Sequence, residues 1–334
     1  MAGAAPAEKE TLAFLRRAQA YPEDPARVTV IETHFARVFL GRRWVRKLRK
    51  PLATARFDLT TPERREAAAR EEIRLNRPLA PDVYQGVERL VRTKAGGLAL
   101  NAPGTTVDWL VVMRRLPAAT ALDVAAPAGP RALEPLADLL ADFYRRAPRA
   151  ANASSGWPAR VEAVLAELET ALDAKGPTVG GAALAARLGR WVRAHAALLQ
   201  ARAEAGRVVD GHGDLRPEHV YLTTPPRVLD RLDIDAELRR VDWAEDVALL
   251  AVDLERLGRP WIATALTAAL ARRLDDAPPP ALTRFYRAWR ALVRAQLCLE
   301  HRARPGRLGP SGWLRRAKVY RAIAARHLAL LDAR

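Results

Sequence analysis

The 334 residues are 49% hydrophobic and 28% charged, the balance of a folded chain with a sizeable core rather than a disordered one. The formal charge is +17, yet the arginines that carry it are dispersed among alanines and leucines along the whole length, which reads as solvated helix faces and argues against a nucleic-acid surface. The single cysteine, Cys298, excludes an internal disulfide and a thiolate zinc cage; residues 1–20 lack the apolar core of a signal peptide, no later stretch suits a membrane span, and a cytoplasmic location is expected.

Segments 28–31, 37–40 and 44–48 are short and rich in β-branched and aromatic residues, so they predict strands, with Gly41-Arg42-Arg43 turning between the last two. Thr60, Thr61 and Pro62 then signal a helix start, Glu63 sits in the first turn, and the pattern over 64–79 is helical. Further strands are expected at 87–91 and 107–113, which completes a small N-terminal lobe over 1–115. Beyond Leu116 and Pro117 the apolar period becomes helical at 131–144, 157–173 and 182–205, the start of a larger lobe over 116–334. A β-like island, 207–209, 219–222 and 227–229, interrupts it, and its first and last pieces run straight into aspartates. Helices are expected again at 242–257, 261–274, 281–302 and 313–331, with Pro278-Pro279-Pro280 marking a break. The expectation is an α+β fold of two lobes, the first β-rich and the second mainly helical.

The residues with chemical potential gather at a few of these ends. Phosphoryl transfer needs a carboxylate beside the acceptor hydroxyl, oxygen ligands for a metal, and a lysine on the phosphates held by an acid. Asp214, on the glycine-bearing turn His212-Gly213-Asp214, is the candidate base, with His212 beside it. The side chain five positions after the base, where a kinase loop carries a metal-binding asparagine, is His219, and imidazole suits softer ions than magnesium. His219 is therefore read as a metal ligand, a phosphate contact or a structural histidine. Asp230 ends the strand 227–229, and with Asp233 and Asp235 it crowds three carboxylates at one exit, a cost unless a cation neutralises them. Asp230 is the candidate ligand for the nucleotide's metal. Lys47, on the strand 44–48, suits a phosphate-reaching lysine, with Lys50 its competitor. Its acid partner is expected to be Glu72 on the following helix, because Glu71, one helical step away, faces elsewhere. A metal hydrolase built on His212, Asp214 and His219 is an alternative. No Gly-x-Ser-x-Gly and no P-loop occurs.

Taken in order, Ile31-Glu32-Thr33-His34-Phe35, Val45-Arg46-Lys47-Leu48-Arg49-Lys50-Pro51, Glu72-Ile73-Arg74-Leu75-Asn76-Arg77, His212-Gly213-Asp214-Leu215-Arg216-Pro217-Glu218-His219, Leu238-Arg239-Arg240-Val241-Asp242-Trp243-Ala244-Glu245-Asp246 and Tyr286-Arg287-Ala288-Trp289-Arg290-Ala291-Leu292-Val293-Arg294 resemble the aminoglycoside phosphotransferase family of the protein-kinase-like superfamily. The nearest likeness is to an uncharacterised bacterial branch often fused to a P-loop ATPase, a domain this sequence does not contain. The resemblance implies a two-lobed kinase-like fold, ATP with magnesium or manganese, and a hydroxylated small molecule as acceptor. It implies Asp214 as base, Asp230 as metal ligand and Lys47 with Glu72 on the phosphates; the adenine is then expected near residues 113–116, with Met113 and Arg115 as its candidate contacts. The departure at His219 keeps a second reading open, a nucleotide-binding pseudokinase or scaffold without transfer activity.

Overall fold

In the computed structural model the described residues are 6–21, 23, 27–54, 57–149, 156–175, 180–302 and 308–333. They form two compact units, Met1–Thr120 with Arg227–Ala236, and Ala121–Pro226 with Glu237–Arg334. A single cut near residue 115 does not separate them, because the segment that carries Asp230, Asp233 and Asp235 returns to the first unit.

The first unit is built on six antiparallel strands, β1 (Thr29–Glu32), β2 (Ala36–Leu40), β3 (Trp44–Arg49), β4 (Tyr84–Arg92), β5 (Leu98–Leu100) and β6 (Thr105–Arg114), in the spatial order β1-β2-β3-β6-β4-β5. Side chains alternate across each strand, so β3 divides its residues between two faces. Leu48 joins Phe39, Leu90 and Leu110 in a core closed by Leu15 and Tyr21. Leu15 ends a helix that the sequence reading did not foresee, α1 (Pro6–Leu15). Val45, Lys47 and Arg49 lie on the opposite face, the one covered by α2 (Pro62–Asn76), which packs against β4 and β6. The Thr61 hydroxyl caps α2 by accepting from the Arg64 N–H, and Pro62 fills its first position. The helix stops three residues short of the expected 79, because Arg77 precedes Pro78, which disfavours helical backbone there.

The second unit is mainly helical: α3 (Glu134–Arg146), α4 (Trp157–Asp173), α5 (Ala182–Ala194), α6 (Ala196–Glu204), α7 (Trp243–Arg256), α8 (Pro260–Leu274), α9 (Pro280–His301) and α10 (Gly309–Asp332). The single helix expected over 182–205 is broken at His195, whose ring nitrogen and backbone N–H both bond the Trp191 carbonyl. That imidazole stacks on Trp191 at 4.1 Å between centroids. A side chain competing for a helix carbonyl in this way ends the regular ladder. The expected strand at 219–222 begins as a tight turn over Pro217–His219 and continues as β8 (Val220–Tyr221). Residue 227 opens the short strand β9 (Arg227–Val228) of the first unit. Two more strands, β7 (Val208–Asp210) and β10 (Arg240–Asp242), pair antiparallel with Val209 opposite Val241. Helix α7 follows β10 without a linker and is buried from Trp243 to Leu254, with α8, α9 and α10 packed around it. A helix apolar on nearly every side belongs in a core, which makes the acids within it conspicuous.

Candidate functional site

Within the first unit the same-face positions Lys47 and Arg49 meet one carboxylate. Glu72, 1% exposed, receives Lys47 Nζ on Oε1 at 2.9 Å and Arg49 Nη2 on Oε2 at 2.6 Å. The two cations stand two residues apart on a strand, roughly 7 Å along its axis, so one carboxylate from α2 spans both. Glu71 points away and pairs with Arg74 on the helix surface at 2.6 Å, as the helical step requires. Lys47 Nζ also donates to Asp230 Oδ1 at 2.7 Å, and Arg49 pairs with Asp233. The cations that the aspartate cluster demands are therefore supplied in part by the chain itself. Burial pulls the Lys47 ammonium down, but Asp230 and Glu72 outweigh it and hold the group above its ordinary range. Burial pushes the Asp233 carboxyl up to about 6, against the pull of Arg49 and with the help of Glu72.

The backbone around Asp230 is held from two sides. The Tyr84 hydroxyl accepts from the Asp230 N–H at 3.2 Å, and Asn76 Oδ1 accepts from the Arg231 N–H at 2.9 Å, while Asn76 itself donates to the Glu72 carbonyl. Asp230 takes a left-handed backbone, φ 61°, which costs a non-glycine residue and turns its carboxylate outward to 49% exposure. Lys50, the competitor, donates to the Thr33 carbonyl and pairs with Glu32, apart from Glu72. Met113 is buried on β6 opposite Val45. Arg115 bonds the β2–β3 turn, its N–H on the Arg43 carbonyl and its guanidinium on the Gly41 carbonyl at 2.6 Å.

Within the second unit, the loop after β7 carries His212, Gly213 and Asp214. Its scaffold is Asp246, in the first turn of α7 and fully buried. The Asp246 carboxylate accepts the His212 N–H at 2.6 Å, the Gly213 N–H at 3.0 Å and the Tyr144 hydroxyl at 3.0 Å. Gly213 is left-handed at φ 80°, and a Cβ on Gly211 would lie 2.5 Å from Val241 and 2.9 Å from Asp246, so both glycines are required for the loop to lie this close to α7. Asp242 caps α7 through the Ala244 N–H and is clamped by Arg202 on both oxygens, at 2.7 and 2.8 Å.

Asp214 is partly exposed at the end of this loop. His212 is fully buried, and its Nδ1 accepts the Asp214 N–H at 3.3 Å, a contact that steers the loop. His219 Nδ1 lies 2.9 Å from the Asp214 carbonyl; a carbonyl only accepts, so this nitrogen carries the proton and Nε2 is the one able to offer a lone pair to a metal. The two imidazoles are nearly parallel at 6.2 Å. Lys47, Glu72 and Asp230 are thus brought together in one unit, and His212, Asp214 and His219 in the other. Arg49 and Asp246 escaped the sequence reading as residues that shape the site. The signal for Asp246 was an acid inside an apolar helical run; for Arg49 it was the period of two from Lys47.

No family model matches the chain. Uncharacterised proteins of Mycobacterium tuberculosis (strain H37Rv) and Mycobacterium bovis are 35% identical to it over 284 residues, covering 81% of this chain and 54% of theirs. The chain therefore spans about half the length of the curated relatives it matches. Among solved structures, the GDP and kanamycin complex of APH(2")-IIia matches with a TM-score of 0.52 at 14% identity, covering 92% of this chain and 96% of that one.

Proposed function

On the premise that this chain has the aminoglycoside phosphotransferase fold, a member of the protein-kinase-like superfamily, we propose that it is an ATP-dependent phosphotransferase acting on a hydroxyl of a small molecule. The observation that carries this reading is Lys47 Nζ held at 2.9 Å by buried Glu72 and at 2.7 Å by Asp230. A lysine fixed by an acid beside a solvent-facing carboxylate is the arrangement that positions a nucleotide's phosphates. The GDP bound by the solved relative supports a nucleotide ligand for this fold.

In this reading Asp214 accepts the proton of the acceptor hydroxyl, and the hydrogen bonds from the loop to Asp246 fix where that carboxylate stands. Lys47 places positive charge on the phosphates, Glu72 keeps it aimed, and Arg49 keeps Glu72 in place. Met113 and Arg115 border the adenine. Magnesium or manganese fits the carboxylate of Asp230, a hard, half-exposed oxygen donor. Magnesium is commonly held by one or two carboxylates together with substrate phosphates. Asp230 would hold it in the first unit; His219 Nε2, in the second unit, is a donor better suited to manganese. The metal, when bound, neutralises charge on the transferring phosphoryl group. Among the described residues no helix is long and apolar enough to cross a membrane, and a cytoplasmic site of action completes the reading.

A nucleotide-binding pseudokinase is the second reading, favoured by a histidine, His219, where a metal-binding asparagine is expected. One experiment tests both: nucleotide binding and γ-phosphate transfer across a panel of hydroxylated acceptors, in the wild type and in Asp214→Asn. Transfer that is lost in the variant while binding persists supports the enzyme. Binding without transfer to any acceptor in the wild type supports the pseudokinase.

A further inference from the structure

Asp253 lies two helical turns beyond Asp246, seven residues on and so on the same face of α7, and it too is fully buried. Three guanidiniums converge on it. Arg294 Nε stands 3.4 Å and Arg256 Nε 3.8 Å from Oδ1, and Arg216 Nε stands 3.5 Å from Oδ2. The Tyr320 hydroxyl donates to Oδ1 as well. The guanidinium separations exceed the 2.7–2.9 Å typical of a charge-assisted hydrogen bond. Arg216 Nε, Arg294 Nε and Asp253 Oδ2 are buried without a hydrogen-bond partner. Two further acids border this group: Glu218, whose side chain is 36% exposed and lies against Arg216, and Asp214, whose Oδ2 stands 4.0 Å from Arg216 Nη1. The three cations thus meet one buried carboxylate, Asp253, and two that solvent can reach, Glu218 and Asp214.

This cationic group adjoins the base. Arg216 follows Asp214 by two residues, and its Nη1 stands 4.0 Å from Asp214 Oδ2, too far for a hydrogen bond. An acceptor brought to Asp214 meets this guanidinium, and once Glu218 is drawn away the uncovered N–H groups attract an anion. We propose that the acceptor is a hydroxylated small molecule bearing a carboxylate or phosphate group, which displaces Glu218 from Arg216 with Arg294 behind it. The proposal rests on the phosphotransferase reading for what happens at Asp214, but the anion site itself does not. Its ligand has the opposite charge to the amines of the kanamycin bound by the solved relative.

Isothermal titration of the full chain, without nucleotide, with glucose, glucosamine, gluconate and glucose 6-phosphate tests it on one polyhydroxy skeleton. The carboxylate and phosphate members separate the two sources of charge. At least one of them binds, and binds at least about tenfold more tightly than glucose or glucosamine, as one charge-assisted contact provides. Arg216→Gln and Arg294→Gln weaken it by about tenfold or more. Glu218→Gln tightens it, a gain that misfolding cannot produce, and the exposed control Arg146→Gln leaves it unchanged. Equal or tighter binding of glucosamine, no binding by either anion, or insensitivity to Arg216→Gln overturns the proposal. A parallel titration with ATP separates the two ideas. Anion binding without nucleotide binding sinks the phosphotransferase reading and keeps the site; nucleotide binding with transfer only to amine-bearing acceptors does the reverse.

Discussion

Asp246→Asn isolates the device that shapes the loop carrying His212, Gly213 and Asp214. The carboxylate accepts the N–H groups of His212 and Gly213 and the hydroxyl of Tyr144, at 2.6, 3.0 and 3.0 Å, in a site with no solvent. An amide of the same shape keeps one accepting oxygen, turns an NH2 donor toward another donor, and removes the charge. A buried donor left without a partner costs about 1–3 kcal/mol, so the asparagine variant should lose roughly 3 kcal/mol, and Asp246→Ala, which orphans all three donors, roughly 4–6 kcal/mol. The assay is equilibrium unfolding in urea, run as a double-mutant cycle with Tyr144→Phe. Because Tyr144→Phe removes one of the stranded donors, the pair should couple by about 1 kcal/mol, with the double variant less damaged than the sum of the singles. Variants within about 0.5 kcal/mol of wild type, or additive effects, would refute the claim that this carboxylate organises the loop.

Two further outcomes follow from buried charge. Burial, against the pull of Arg290 and with Asp242 and Asp246 nearby, pushes the Glu245 carboxyl up from 4.5 to about 7. A raised carboxyl binds its proton more tightly folded than unfolded, so its contribution favours folding below about pH 4.5 and is lost as pH rises through about 7. Glu245→Gln, which stays neutral, should therefore gain on the wild type by roughly 3 kcal/mol between about pH 4 and about pH 8 in urea unfolding; parallel pH curves would count against it. Arg49→Met leaves Glu72 and Asp233 buried with one cation fewer and should cost about 3–5 kcal/mol, whereas a loss under about 1 kcal/mol would show that Lys47 alone balances both acids.

Much of the fold could be read from periodicity. Segments 28–31, 37–40 and 44–48, rich in β-branched and aromatic residues, fall within one residue of β1, β2 and β3, and the helical period over 157–173 coincides with α4. Failures have local causes. Three-residue β5 is too short to show a period, and the break at His195 depends on a ring nitrogen reaching a carbonyl one turn back, a contact invisible to hydropathy. At the site, Lys47 meets Glu72 as expected from strand and helix spacing, whereas the pairing of Lys47 with Asp230 in the first unit was not legible in the sequence. Arg49 did not stand out, since one arginine among many carries no signal until the alternation of β3 places it beside Lys47. The carboxylates of α7 were legible only as acids in an apolar run. Which backbone groups Asp246 receives depends on the close approach that Gly211 and Gly213 permit, a tertiary fact.

The most direct test of the central claim is thermal unfolding of the full chain with ATP or ADP, each with magnesium, manganese or no metal, in the wild type and in Asp230→Ala. A nucleotide that binds the folded chain at about a hundredfold excess over its Kd adds about 2.7 kcal/mol and raises the midpoint by several degrees. Such a rise is expected only with a divalent metal present, and should be lost in Asp230→Ala. No rise with any nucleotide and metal, or an equal rise in the variant, would contradict it.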